Sequence, residues 1–115
     1  MATKYRLELV KVHCEKKQDT IGKDEVQVIV GGKVLFGGNA GGTIAKGGDI
    51  HLTGRSAFFT NSVQVQLVEV DAGSNNDDLG TATIQGKADV GRGTLKREFT
   101  RNNASYTLSY EVSAA

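Results

Sequence analysis

The sequence predicts an all-β protein, an eight-stranded antiparallel β-sandwich. The first observation behind this prediction is the alternation of apolar and polar residues in short runs, as at Val26, Val28 and Val30, which gives each strand one apolar and one polar face. The second is the composition, since 15 glycines and no proline suit many short strands joined by tight turns. Two sheets packed with their apolar faces together satisfy both observations.

The alternation defines eight predicted strands. They span residues 4–13, 24–30, 33–36, 48–53, 62–70, 79–86, 94–100 and 105–112. Gly31-Gly32 lies between the second and third strands, where a two-residue hairpin needs positive φ values. Asn102-Asn103 is predicted to make a similar turn between the last two strands.

Length and charge restrict the classes of protein. A chain of 115 residues predicts a single domain over residues 1–115. The charges are nearly balanced, 14 Lys and Arg against 13 Asp and Glu, so no overall field attracts nucleic acid. The single cysteine, Cys14, excludes an intrachain disulfide. Residues 1–6 lack the apolar run of a secretory signal, and no stretch has the roughly 18 apolar residues of a membrane span, so a soluble, cytoplasmic protein is expected.

Acidic residues gather in two predicted loops. Glu69 and Asp71 stand two positions apart at the end of a strand, so both point to one side, and Asp77 follows at the far end of the loop. An earlier loop carries Asp19 and Asp24. Loops from different hairpins cluster at one end of an antiparallel sandwich, so these five carboxylates are predicted to share one rim. Oxygen cages of this kind bind Ca²⁺, which takes about six to eight oxygens.

These loops resemble those of a known family. Asp19-Thr20-Ile21-Gly22-Lys23-Asp24-Glu25-Val26-Gln27-Val28 resembles the first calcium loop and following strand of C2 domains. The acid-x-acid pattern of Glu69 and Asp71, with a third acid at Asp77 and a glycine at Gly80, is similar to the third calcium loop. Gly93 to Val112 resembles the last two strands, so the resemblance covers most of the chain. It implies a C2-like sandwich whose calcium ligands are Asp19, Asp24, Glu69, Asp71 and Asp77, with Asp78 as a substitute or an acid behind them.

The resemblance implies a binding module without catalytic chemistry. One or two Ca²⁺ ions at the rim would be presented to an anionic partner, which is a phospholipid headgroup, a glycan or a protein acid. For a phospholipid surface, Lys16, Lys17 and Lys23 supply a nearby basic group and Ile21 an apolar side chain.

Two alternatives stay open at this stage. In the first, the acids are only turn formers, and the sandwich edges or Phe58 and Phe59 mediate self-assembly or a protein contact. Because side chains alternate along a strand, one of these two rings is expected to face the core and the other solvent or a partner. In the second, the chain is a calcium-dependent carbohydrate-binding module.

Histidine and cysteine do not predict an enzyme. His13 and His51 have no recognisable spacing to partners that would make a zinc site or a general base. His13 and Cys14 are adjacent in a strand, so they point to opposite faces and do not form a nucleophile and base. Cys14 is expected to be a small buried side chain.

Overall fold

In the part of the chain that the structure describes, the strands form two five-stranded antiparallel sheets. The structure is a computed structural model and describes residues 3–17, 24–38, 41–70 and 76–115. The strands in chain order are β1 (Lys4–Lys16), β2 (Asp24–Val30), β3 (Lys33–Phe36), β4 (Gly42–Ile44), β5 (Asp49–His51), β6 (Ser56–Thr60), β7 (Ser62–Glu69), β8 (Asp77–Gln85), β9 (Leu95–Phe99) and β10 (Ser105–Ala114). A single helical turn, α1 (Gly86–Asp89), follows β8.

The two sheets have simple orders. The first sheet has the order β5-β1-β10-β9, and β6 pairs with β1 farther along the same edge. The second sheet has the order β3-β2-β7-β8, and β4 pairs with β2 beside β3. The hairpins β7–β8 and β9–β10 each lie within one sheet, and β1 and β2 lie in different sheets. The predicted antiparallel sandwich is therefore confirmed.

Two short strands lie outside the eight predicted ones. β4 begins at Gly42, directly after a glycine-rich segment that carries no alternation. β6 has the sequence Ser-Ala-Phe-Phe-Thr, in which adjacent aromatic residues hide the period of two. The expectation for this aromatic pair is confirmed, because Phe59 is 8% exposed and Phe58 is 64% exposed.

Both predicted turns have the required backbone. Gly31 and Gly32 have φ values of 58° and 83° and connect Val30 to its partner Lys33. Asn102 and Asn103 have φ values of 56° and 63°, which asparagine tolerates better than most residues. These turns set the register of the β2–β3 and β9–β10 hairpins.

The core lies between the two sheets. Alternate residues of the long strands supply it, and the fully buried aliphatic side chains include Leu7, Leu9, Val28, Leu67 and Leu108. Since successive side chains point to opposite faces, the same alternation carries some strand-end acids into the space between the sheets. No helix in the described part of the chain is both long and apolar enough to cross a membrane.

Candidate functional site

Three carboxylates lie on neighbouring strands at one end of the second sheet. Glu69, the last residue of β7, is directly opposite Val26 of β2 on one side and Asp77 of β8 on the other. Asp24 begins β2, two residues before Val26, and so lies on the same face of the sheet. That face is the core side, because Val26 is fully buried. Strand pairing thus places Asp24, Glu69 and Asp77 at one end of the sandwich interior.

Two of these acids are deeply buried. Asp24 and Glu69 are both 0% exposed. Burial of a carboxylate costs free energy unless hydrogen bonds, an opposite charge or a cation compensates it. Interior carboxylates at the end of a sheet are therefore unusual enough to suggest a functional role.

Tyr106 of β10 reaches Asp24 from the opposite sheet. Its hydroxyl donates a hydrogen bond to Oδ2 of Asp24, and the ring is completely buried. Burial raises the pKa of Tyr106, and the hydrogen bond to Asp24 raises it further, so the hydroxyl keeps its proton. Cys14, the cross-strand partner of Tyr106, is also fully buried, and this burial raises the pKa of its thiol. The expectation that Cys14 is a buried small side chain is confirmed.

Asp78 has a different environment from its neighbour Asp77. It is paired with Val68 and its side chain lies on the other face of β8. Its Oδ1 accepts hydrogen bonds from the Gly80 N–H at 2.9 Å and from Gln66 at 3.2 Å, and Oδ2 lies 2.8 Å from Nη1 of Arg101. Burial raises the pKa of Asp78, but these three donors together outweigh it and hold the pKa below its usual range. Asp78 thus ties β8 to the β9–β10 turn.

The described acids do not complete a metal site by themselves. Within residues 3–17, 24–38, 41–70 and 76–115, no three His, Cys, Asp or Glu side chains form a group that could hold a metal ion. Asp19 and Asp71, two of the predicted ligands, lie outside the described residues. The assignment of Asp19, Asp24, Glu69, Asp71, Asp77 and Asp78 to a calcium site therefore stays a prediction.

Sequence reasoning missed the partners of His13. Asp49 is its cross-strand neighbour in β5, and His13 Nδ1 lies 2.6 Å from Asp49 Oδ1, while Nε2 lies 3.0 Å from Glu15 Oε1. The hydrogen bond with His13 is the main reason why the pKa of Asp49 is lowered. This cluster is on the outer face of the first sheet, because Cys14 occupies the inner face. The 36-residue separation of His13 and Asp49 left no local signal.

Solved structures share this architecture. A structure described as a C2 domain covers 97% of this chain and 99% of its own length, with a TM-score of 0.54 and 17% identity. The C2A domain of a plant extended synaptotagmin 1 covers 99% and 96%, with a TM-score of 0.62 and 8% identity. The chain has a C2-like fold.

A larger protein contains the same fold as one part. The human GIVD cytosolic phospholipase A2 matches 100% of the C2-like chain, with a TM-score of 0.62 and 10% identity, but the match spans only 17% of the phospholipase. The same phospholipase has been solved with an inhibitor and terbium chloride, and that structure matches at a TM-score of 0.63 and 9% identity. No protein-family model and no curated protein sequence matches the chain. At these identities the likeness shows the C2-like fold.

Proposed function

We propose that this C2-like chain is a calcium-binding module that holds Ca²⁺ at its acidic end and presents it to an anionic partner. The observation that carries the proposal is the placement of Asp24, Glu69 and Asp77 on three neighbouring strands, β2, β7 and β8, at one end of the core. Asp19 and Asp71 belong to segments 18–23 and 71–75, which precede β2 and follow β7 in the sequence, and they supply further carboxylates in the proposal. Asp78, whose carboxylate is held by Arg101, lies outside the coordination sphere of the ion in this proposal.

The chemistry of these donors fits calcium. Every proposed ligand is a carboxylate oxygen, which is the donor that a hard cation such as Ca²⁺ prefers. Carboxylates close together repel each other by on the order of 1 kcal/mol or more per pair. A divalent ion removes that repulsion and reverses the local potential from negative to positive. The acidic end then attracts an anion instead of repelling it.

An anionic lipid headgroup is the first partner to test. One solved structure that matches this chain over its full length is that of a larger enzyme, which is named as a phospholipase. A headgroup phosphate or carboxylate can complete the coordination of a bound ion, and the charge reversal makes binding depend on calcium. A glycan or an acidic protein surface offers the same oxygen chemistry. Sedimentation with phosphatidylserine vesicles, in calcium and in chelator, distinguishes a lipid partner from a glycan or a protein partner.

Terbium luminescence tests the ion site directly. The chain has 3 tyrosines and no tryptophan, and one of the tyrosines, Tyr106, contacts Asp24. Terbium bound at this end should be excited through Tyr106, and calcium should displace it and quench the emission. Asp77→Asn keeps the shape of the side chain and removes one ligand charge, so we expect calcium affinity to fall at least about tenfold. The double variant Asp71→Asn with Asp77→Asn should abolish binding.

Asp78→Asn is the matched control for Asp77→Asn. The two acids are adjacent, but only Asp77 is opposite Glu69. Asp78→Asn should lower calcium affinity less than Asp77→Asn does, because Asp78 is not itself a ligand in the proposal, and it should weaken the contact with Arg101. Equal affinities for the wild type and Asp77→Asn, or an absence of displaceable emission, would contradict the proposed site.

A further inference from the structure

An exposed aromatic ring stands beside an open strand edge. Phe58 of β6 is 64% exposed, and Lys4 Nζ lies 5.8 Å from the centre of its ring. Among the strands that the structure describes, β6 pairs with β1 alone, which leaves its other edge unpaired. An open edge is a template for another strand. This surface is independent of the proposed calcium site.

The register shows which backbone groups of β6 face outward. The N–H of Leu9 donates to the carbonyl of Arg55 at 2.9 Å, so the backbone carbonyl of Arg55, the residue before β6, faces β1. Residues of an antiparallel strand alternate between facing the paired strand and facing away from it. The N–H and C=O groups of Ser56 and Phe58 therefore point away from β1. They are available to a strand that runs along β6.

A groove lies next to this edge. It has a volume of about 390 Å³ and separates β6 from the β2–β3 hairpin. Its apolar lining consists of Val30, Leu35, Ala57, Phe58 and Val63. Val30 is at the end of β2 and Val63 near the start of β7, whereas the acidic residues lie at the other ends of these strands. An apolar side chain of a paired strand can enter this groove.

The charge around the edge is basic. Lys33 lines the groove, Lys4 lies over Phe58, and Arg6 is the cross-strand partner of Phe58. Glu8 of β1 pairs with Arg6 at 3.7 Å, and its cross-strand partner Glu111 lies on the same outer face, one strand farther from the β6 edge. Three basic residues against these two acids favour an acidic occupant. A second copy would bring the same basic groups together, and like charges at a strand edge oppose such self-pairing.

The geometry points to an extended acidic peptide as the occupant of the β6 edge. Its backbone pairs with the outward groups of Ser56 and Phe58, as in other cases of strand addition. One of its apolar side chains enters the groove beside Phe58. Its acidic side chains lie near Lys4, Arg6 and Lys33. The C2-like fold thus carries a peptide-binding edge in addition to its acidic end.

Short synthetic peptides test this inference by fluorescence polarisation. A peptide of alternating glutamate and valine should bind, and its lysine–valine counterpart should bind at least about tenfold more weakly. Phe58→Ala and Lys33→Glu should each weaken binding of the acidic peptide by about tenfold. The control for Phe58→Ala is Val34→Ala, since Val34 is 40% exposed but does not line the groove. The control for Lys33→Glu is Lys96→Glu on β9.

Hydrogen exchange distinguishes strand addition from loose charge attraction. The acidic peptide should slow exchange at the amides of Ser56 and Phe58, because these N–H groups become bonded. Binding without this protection, or binding that the control variants weaken equally, would overturn the proposal. So would three other results: no binding of the glutamate–valine peptide, sedimentation with anionic vesicles that Phe58→Ala abolishes, or a dimer that Phe58→Ala dissociates. The peptide affinity should be the same in calcium and in chelator. If the peptide does not bind, that result therefore does not bear on the proposed calcium site.

Discussion

At the scale of single residues, Tyr106 contributes a buried contact to the acidic end. Its hydroxyl bonds Asp24 across the space between the sheets, and both residues are fully buried. A hydrogen bond to a buried charged group contributes about 1.5–3 kcal/mol. The hydrogen bond from Tyr106 therefore offsets part of the cost of burying the polar side chain of Asp24.

Tyr106→Phe should lower the free energy of unfolding by about 1.5–3 kcal/mol, because it removes the donor and leaves the ring in place. Urea denaturation in chelator measures this loss. The control is Tyr110→Phe on the same strand, whose hydroxyl lies between Asp89 and Arg97, two residues that stay partly exposed to water. Its cost should be smaller, about 0.5–1.5 kcal/mol. Equal losses in the two variants would argue against a special role for the Tyr106 contact.

At the scale of elements, a bulge in the β7–β8 hairpin controls which acids face the core. The register shifts between Leu67 and Val68, so Leu67 is opposite Gly80 while Val68 is opposite Asp78. An extra residue in one strand of a pair changes the direction of the side chains beyond it. The bulge thus turns Asp77 toward the side of Glu69 and leaves Asp78 to the β9–β10 turn.

Gly80 makes this bulge possible. Its φ is 133°, which L side chains rarely adopt, and an added Cβ would lie 3.3 Å from Cδ2 of Phe99. Gly80→Ala should therefore destabilise the fold by about 1–3 kcal/mol. Thr81→Ala, at an exposed position on the same strand, should cost less than about 1 kcal/mol. Thermal melts of the two variants compare these costs, and a Gly80→Ala variant as stable as the wild type would show that the bulge tolerates a side chain.

At the scale of the whole molecule, calcium binding and folding should be linked. Segments 18–23 and 71–75 connect β1 to β2 and β7 to β8, so an ion held by their acids joins parts of both sheets. Any ligand that binds only the folded state stabilises it, by about 2.7 kcal/mol at 100 times its dissociation constant. The ion is expected to act on the entire fold, not on one loop.

Saturating calcium should raise the melting temperature by roughly 10 °C relative to chelator, given the stabilisation above and the size of the chain. Magnesium should have a smaller effect, because it demands a tighter octahedral set of ligands and keeps much of its water. Calorimetric scans in calcium, magnesium and chelator measure both shifts. Identical melting temperatures in calcium and chelator would contradict the linkage, and the Asp77→Asn variant should show a reduced shift.

The sequence by itself determined the sandwich, most of its strands and two of its turns. Period-two alternation reports which side chains are buried, and positive φ at Gly31-Gly32 and Asn102-Asn103 follows from what these residues tolerate locally. It did not reveal β4 or β6, because a short glycine-led strand and an adjacent pair of phenylalanines carry no alternation. The alternating strands and the two turns depend on residues close together in the chain, which is why they can be predicted from the sequence.

Only the tertiary structure decided how the acids differ. Asp77 and Asp78 are adjacent and chemically equivalent, yet a bulge directs one toward Glu69 and the other to Arg101. Tyr106 meets Asp24 across 82 residues of sequence, and no local pattern encodes that contact. The open edge of β6 likewise can be recognised only from the strand order in the sheet. Alternation determines that a side chain is buried, but the pairing of distant strands determines what it is buried against.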